Sequence, residues 1–172
     1  KLHARKLQVK DVPNAVAIKF VNENHLQGWS VASVKLGLYN GDELTQIMTF
    51  SKPRFSKNAE WEVVRIASKL GVTVVGGASK LFATFAKQYN PSSVLSYADL
   101  RYSTGGVYKS LGFEWQHDSA PNYFYVKGAI NLPRYKAQKH LLPKLLGDKF
   151  NPLNSETENM LASGYNKVYD CG

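Results

Sequence analysis

The stretch WEVVRIASKLGVTVVGGASKLFATFAKQYN, residues 61–90, decides the fold of this 172-residue chain. Its first part, Trp61 to Ser68, is typical of a long β-strand. Gly76 and Gly77 follow, and apolar residues at helical spacing then continue to Asn90-Pro91, which ends the helix. This order predicts a strand, a glycine-rich loop and a helix. Such a loop serves either an anion bound at the helix start or a turn that needs flexible glycines.

The loop supplies the candidate phosphate-binding residues of the chain. Backbone N–H groups at the start of a helix point toward an anion, and glycine lets a phosphate approach the backbone closely. The glycine spacing before Lys80 differs from that of a Walker loop and from that of a dinucleotide fingerprint. The candidates are Val75, Gly76, Gly77, Ala78, Ser79 and Lys80.

Toward the N-terminus the pattern predicts a short strand, a helix and a hairpin. The strand covers Leu7 to Lys10, and Asp11 and Pro13 signal the start of a helix that runs to about Asn24. Apolar residues alternate over positions 32–38, as in a strand with one buried face. Asn40-Gly41 is a strong turn signal before a returning strand over residues 44–50.

Toward the C-terminus the pattern predicts a short buried strand over Val94 to Ala98, a loop, and a short helix that ends near Leu111. Residues 113–117 and 122–126 are predicted to close the sheet as an antiparallel pair. Ser155 and Glu158 form a capping-box signature for a further helix, and residues 165–170 are predicted to form a last strand.

The fold class that follows from this pattern is α/β (α+β), and the family resemblance described below implies a mixed, mostly antiparallel central sheet with helices on both faces. Residues 127–149 carry six Lys/Arg and one acid, Asp148. We therefore interpret residues 1–126 as the main domain and residues 127–172 as a basic C-terminal extension packed on it.

Composition limits the function classes. A formal net charge of +9 and a pI near 9.6 favour polyanionic partners, DNA among them. No apolar run approaches the roughly 20 residues of a membrane span, so no membrane partner is expected. Cys171 is the single cysteine, which excludes an internal disulfide, and the histidines show no metal-ligand spacing. The chain opens with Lys1 instead of Met, and we expect it to be either processed or a piece cut from a longer protein.

Two segments carry a resemblance to a known family: VVGGASKL, residues 74–81, and VYKSLGF, residues 107–113. Together with the order of elements they resemble the GNAT fold of acyl-CoA-dependent N-acyltransferases. The resemblance implies that acetyl-CoA lies across the glycine loop and that Tyr108 protonates the leaving thiolate. Thr73 departs from the family pattern, which has Gln or Arg there. Packing at the start of the short helix is the alternative role for Tyr108.

A narrower resemblance is to GNAT-like proteins of phages, both Mom-type proteins that modify adenine in DNA and domains appended to phage homing endonucleases. The segments that look like this group are 25–28, 49–54, 76–81, 96–99 and 169–172. This resemblance implies a phage protein in the cytoplasm of a bacterial host, with DNA as its partner. The appended-domain version also implies a nuclease domain in the same full-length chain.

Further candidate catalytic residues follow from position. Asp99 comes just after the predicted strand 94–98, where ligand sites of α/β folds gather, so it could accept a proton or cap the next turn. His25 follows the first helix and is either a general base or a loop histidine without a catalytic role. Candidate nucleic-acid contacts are Arg54, Arg65, Arg101, Lys136 and Lys139.

Two functions from different classes remain open. The first is a phage-type acyltransferase that uses acetyl-CoA on an amine of nucleic acid or of a nucleic-acid-associated protein. The second is a non-catalytic DNA-binding domain of a phage homing endonuclease, in which the basic extension and Arg54 supply the affinity. An ordinary small-molecule or protein acetyltransferase is a third possibility.

Overall fold

A computed structural model describes residues 1–56 and 58–169. Lys57 and residues 170–172 lie outside this part of the chain, and with them Cys171 and the end of the predicted last strand. The chain divides into two compact units. Residues 1–98 and 105–115 form the first unit, and residues 99–104 and 116–172 form the second. No helix in the described ranges is long and apolar enough to cross a membrane.

Among its described residues, the first unit contains seven strands, three α-helices and a short 3-10 turn over Ala4–Lys6. Its elements are β1 Leu2–His3, β2 Gln8–Asp11, α1 Asn14–Asn24, β3 Val34–Asn40, β4 Glu43–Ser51, β5 Trp61–Ser68, β6 Val74–Val75, α2 Gly77–Tyr89, β7 Val94–Ser96 and α3 Gly106–Ser110. These bounds confirm the predicted opening strand, helix, hairpin, long strand and following helix. The predicted strand over 94–98 is shorter, and its residues are only half-buried.

The main sheet of the first unit has the strand order β2-β3-β4-β5-β7. All neighbours in this sheet are antiparallel except β5 and β7, which are parallel. The parallel pair is short, because Trp61 to Val63 are matched with Val94 to Ser96 and β7 then ends. The remaining part of β5, from Val64 to Ser68, has no partner on that side among the described residues.

Alternate residues of the sheet build two hydrophobic clusters. Met48 and Phe50 of β4 pack with Leu81 and Phe85 of α2 in one cluster. Ile47, from the same strand, packs in the other cluster with the α1 residues Ala17, Phe20 and Val21. Because neighbouring strand residues point to opposite faces, α1 and α2 cover opposite faces of the sheet. The predicted mixed, mostly antiparallel sheet is thus confirmed at the level of fold class.

The second unit is built around a three-stranded antiparallel sheet. Its elements are β8 Tyr123–Lys127, β9 Ile130–Pro133, α4 Leu142–Leu146, α5 Glu156–Ala162 and β10 Asn166–Tyr169, with β8 in the centre of the order β10-β8-β9. Tyr125, Ala137, Leu142 and Met160 form its buried core. The predicted capping box at Ser155 and Glu158 is confirmed, since each residue's side chain accepts the other's backbone N–H.

The predicted antiparallel pair of residues 113–117 and 122–126 is wrong. Residues 113–122 form no strand, and β8 pairs instead with β9 and β10, which lie later in the chain. The predicted strand over residues 122–126 is confirmed as β8, but its partners are set by long-range packing. The predicted division at residue 126 falls inside β8.

Candidate functional site

The start of α2 presents backbone donors without acceptors. Gly76 precedes the helix with a left-handed φ of 72°, and no side chain caps this end. The first helical bond runs from the Lys80 N–H to the Gly76 carbonyl. The N–H groups of Gly77, Ala78 and Ser79 therefore lie ahead of the helical ladder and have no acceptor in the described part of the chain. Such a helix start favours an anion.

Glycine is required at the two loop positions for different physical reasons. Gly76 supplies the left-handed turn that lets the chain enter α2. Gly77 is buried, and a Cβ there would overlap the side chain of Gln46 on β4. The Gln46 amide donates to the Ser68 hydroxyl over 3.0 Å, whereas its Oε1 is buried without a partner. Packing against β4 therefore explains Gly77 without any ligand, so a bulky residue there would disturb the fold itself.

The N-terminal segment lies beside this loop. His3 is paired with Val75 in the parallel β1–β6 ladder. A shallow depression is lined by His3, Ala4, Arg5, Val75, Gly76 and Lys80. The Lys80 ammonium donates to the Ala4 and Leu7 carbonyls over 3.0 and 2.6 Å, so it fastens the N-terminal segment. His3 and Arg5 are two further candidate ligand-binding residues here, and sequence reasoning missed them because they lie far from the glycine loop along the chain.

A polar cluster lies where β5 and β7 part. The Ser96 hydroxyl at the end of β7 donates to the Val63 carbonyl over 3.0 Å. Tyr108 of α3 has a raised pKa because it is buried, while a hydrogen bond with Ser96 and the charge of Arg65 act in the opposite direction. The Tyr108 ring also meets Phe113 edge to face at 5.6 Å. Tyr108 is therefore a protonated phenol that both packs in the core and borders polar groups.

Two arginines hold the loop after α1 against β5. The Arg54 guanidinium donates to the buried Glu62 carboxylate and to the Ser30 hydroxyl, both over 2.9 Å. Arg65 donates to the Gly28 carbonyl over 2.9 Å and to the carbonyl of Val64 over 2.8 Å. Both predicted nucleic-acid contacts are thus used within the first unit.

The charges of this cluster do not cancel. Glu62 is 1% exposed and bonds Arg54 directly, whereas the hydrogen bonds of Arg65 go to carbonyl groups. Burial and the neighbouring Arg54 lower the pKa of Arg65, which nevertheless stays protonated at neutral pH. Two guanidinium groups therefore share one carboxylate, and the cluster keeps a positive charge beside Tyr108.

His25 is placed at this cluster but not as a simple base. Burial, and then the charge of Arg65, lower its pKa, so the imidazole is neutral at pH 7. Its Nδ1 accepts the Gln27 backbone N–H over 3.1 Å. In the neutral ring the proton then resides on Nε2, because Nδ1 uses its lone pair in this bond. The geometry makes His25 a donor through Nε2 unless the Gln27 bond opens.

The second unit contains the remaining predicted site residues. Asp99 and Arg101 form a bidentate pair, with bonds of 3.0 and 2.7 Å, and the Asp99 carboxylate also accepts the Arg101 backbone N–H. Asp99 therefore caps its own turn, as the structural alternative predicts. Lys136 and Lys139 are exposed on two short 3-10 turns, over Arg134–Lys136 and Lys139–Leu141.

The structure brings Tyr108, Arg65, Arg54 and His25 together within the first unit, where β5 and β7 part. Sequence reasoning missed Glu62, Ser30 and Ser96 in this cluster. A single acid inside the buried strand WEVVRIAS was the available signal for Glu62, because a buried carboxylate needs a cationic partner. No cluster of three or more potential metal ligands occurs among residues 1–56 and 58–169.

The positive charge is spread over both units. The first unit contains 14 of the 22 Lys/Arg and seven of the 13 Asp/Glu. The first unit thus carries most of the basic excess, in addition to the basic residues of the predicted C-terminal extension. Comparison of the sequence with models of known protein families and with curated proteins gives no match.

Proposed function

We propose that the first unit is a GNAT-like acyltransferase of phage type, working in a bacterial cytoplasm. It would transfer an acyl group from acetyl-CoA to an amine of nucleic acid or of a nucleic-acid-associated protein. The parting of β5 and β7 supports this proposal most strongly. Among the described residues, the end of β5 has no partner on the β7 side, near Tyr108, and the C-terminal ends of parallel strands are where ligands of α/β folds bind.

The start of α2 would hold the phosphates of the cofactor. Three backbone N–H groups without acceptors, from Gly77 to Ser79, meet the chemistry of a pyrophosphate. His3 and Arg5 line the same depression and add donors for a polyanion. When bound, an acyl-CoA supplies a thioester carbonyl that an amine can attack.

Tyr108 is suited to donate a proton in this site. Its raised pKa keeps the phenol protonated at neutral pH, which a general acid requires. The positive charge of Arg65 stabilises the phenolate that forms when the proton leaves, and so lowers the cost of the transfer. Since the hydrogen bonds of Arg65 go to main-chain carbonyls, its charge is oriented by the fold and remains available to the reaction.

His25 and Arg65 would also suit an anionic acceptor. Neutral His25 can donate a hydrogen bond from its Nε2–H group to a phosphate oxygen, and the positive charge of Arg65 attracts the same phosphate. This arrangement supports nucleic acid over a cationic amine substrate, because two guanidinium groups with one carboxylate repel a free polyamine. The amine itself would reach the site neutral, as nucleobase amines do.

Calorimetric titration of the purified chain with acetyl-CoA tests the cofactor site, with ATP as the control for general attraction of polyanions. The informative variant is Ser79→Glu. An acid in the first turn of α2 favours the helix but repels a phosphate, so we expect an intact fold with binding reduced at least tenfold. Gln88→Glu adds the same charge near the other end of α2 and should bind as the wild type does. Equal binding by Ser79→Glu and Gln88→Glu would exclude the proposed phosphate site.

A second candidate function is the non-catalytic DNA-binding domain of a phage homing endonuclease. Two observations favour it. Close packing against Gln46 accounts for glycine at position 77, and the Lys80 ammonium already donates its hydrogen bonds to carbonyl groups of the N-terminal segment. Both features account for the loop without a cofactor. This function predicts no acetyl-CoA binding beyond that of ATP, together with DNA affinity that falls steeply with salt.

A further inference from the structure

Aromatic rings and cations make two sets of contacts on the second unit, and the two sets are joined through the consecutive residues Arg134 and Tyr135. We name these residues together the aromatic–basic cluster and define it by Tyr123, Arg134, Tyr135, Lys136, Lys167 and Tyr169. Lys167 Nζ lies 3.7 Å from the centre of the Tyr123 ring and 5.3 Å from that of Tyr169. The Arg134 guanidinium lies 4.9 Å from the same Tyr123 ring. One tyrosine ring therefore holds two cations close together.

The core of the second unit supports the centre of this cluster. The hydroxyls of Tyr123 and Tyr125 both donate to Glu156 of α5, over 2.8 and 3.1 Å. Lys167 donates to the hydroxyl of Thr157 over 3.3 Å. These bonds hold Tyr123 and Lys167 in place, so the exposed parts of the cluster rest on a rigid base.

The outer rings of the cluster remain accessible. Tyr169 is 58% exposed and Tyr135 is 64% exposed. Tyr169 meets Tyr123 edge to face at 5.8 Å, and Tyr135 follows Arg134 in the chain. Within the described residues, Arg134, Lys136 and Lys167 have no carboxylate within 4.0 Å. Their charges are thus not neutralised by contact ion pairs.

We infer that the aromatic–basic cluster binds single-stranded nucleic acid, with unpaired bases on Tyr169 and Tyr135 and phosphates on Arg134, Lys136 and Lys167. Stacking rings beside backbone-tracking cations are the two components of single-strand recognition. A duplex exposes its phosphates but keeps its bases stacked inside. It would therefore bind through the cations without stacking on the tyrosine rings. The choice of a nucleic acid as the polyanion rests on the proposed function, which this inference extends to the unpaired form of the substrate.

Fluorescence anisotropy of the full chain with labelled dT12, and with a duplex of equal length, tests the inference at one fixed salt concentration. We expect dT12 to bind more tightly than the duplex. Tyr169→Leu and Tyr135→Leu should each weaken dT12 binding about five- to one-hundred-fold and leave duplex binding nearly unchanged. Lys167→Gln should weaken binding to both ligands.

Matched variants separate stacking from loss of fold and from charge. Tyr169→Phe keeps the ring and should bind dT12 as the wild type does. Tyr102→Leu removes a tyrosine of the second unit that is 64% exposed and lies beside Arg101, outside the cluster, and should have little effect. Lys144→Gln removes an exposed charge on α4 and should weaken binding less than Lys167→Gln.

The inference is overturned if the wild type prefers the duplex or fails to bind dT12. Equal losses in Tyr169→Leu, Tyr169→Phe and Tyr102→Leu would also overturn it. The acetyl-CoA titration is a separate measurement in the first unit. Absent acetyl-CoA binding with intact, Tyr169-dependent dT12 binding would refute the proposed acyltransferase and leave this inference standing. Acetyl-CoA binding together with unchanged dT12 affinity in Tyr169→Leu would refute this inference and leave the proposed acyltransferase standing.

Discussion

Replacing Glu62 with glutamine should destabilise the first unit substantially. The carboxylate is buried and accepts two bonds from Arg54, one from the guanidinium at 2.9 Å and one from the backbone N–H at 3.1 Å. The oxygen of a glutamine can replace one of these bonds, but its amide then faces the second donor. Two arginines would also share the site without a counter-charge.

The magnitude follows from these contacts. A hydrogen bond to a charged group contributes about 1.5–3 kcal/mol, and breaking a buried ion pair costs about 3–5 kcal/mol. The Arg54 side chain is 42% exposed, so water can hydrate its guanidinium when the carboxylate is lost. The cost should therefore lie in the lower part of the values given for these two contributions. We expect Glu62→Gln to lower the free energy of unfolding by about 2–3 kcal/mol, which moves the urea midpoint by roughly 1 M.

Urea unfolding followed by tryptophan fluorescence isolates the relevant unit. All three tryptophans, Trp29, Trp61 and Trp115, belong to the first unit. The matched control is Glu43→Gln, which removes an exposed carboxylate paired with Lys69 and should cost less than about 1 kcal/mol. Equal effects of Glu62→Gln and Glu43→Gln would refute the reasoning, as would additivity of Glu62→Gln with Arg54→Gln.

Three further predictions concern single groups. The NMR titration midpoint of His25 should lie below 6.5 and rise in Arg65→Gln, because burial and then the Arg65 charge lower its pKa; an unchanged midpoint would contradict this. Gly77→Ala should cost about 1–3 kcal/mol in urea unfolding through overlap with Gln46, and less in a background carrying Gln46→Ala; equal costs would argue against the overlap. Burial raises the pKa of Tyr125 to about 12 from 10.0, so its neutral hydroxyl stabilises the fold below pH 10 and this contribution is lost between pH 10 and 12. Urea unfolding followed by circular dichroism should show the advantage of wild type over Tyr125→Phe shrinking across that range, and a constant advantage would disprove it.

The mixed fold class of the first unit follows from local signals. The alternation in β3 and β5, the turn at Asn40-Gly41 and the end of α2 at Asn90 each depend on neighbours in the chain. Such signals are readable because backbone sterics and side-chain periodicity act over a few residues. The same holds for the capping box at Ser155, whose two hydrogen bonds join residues three apart.

The partners of β8 could not be derived in the same way. Its alternation marks a strand, but pairing with β10 joins residues about 40 positions apart. The choice depends on which apolar faces the second unit buries together, among them Tyr125 with Met160. Strand pairing depends on the free energies of whole packed arrangements, and a local sequence pattern contains no information about those energies.

The sequence by itself determined most elements of the first unit, the positive charge and the helix start at Gly76 as an anion-favouring feature, because these depend on residue type and close spacing. Only the tertiary structure decided what each charged side chain does. In the folded chain Arg54 forms an ion pair with Glu62, and Arg101 forms one with Asp99. Lys80 donates hydrogen bonds to carbonyl groups of the N-terminal segment. The physical reason is that a cation near a buried acceptor exchanges hydration for a fixed bond, and only folding brings distant acceptors within reach.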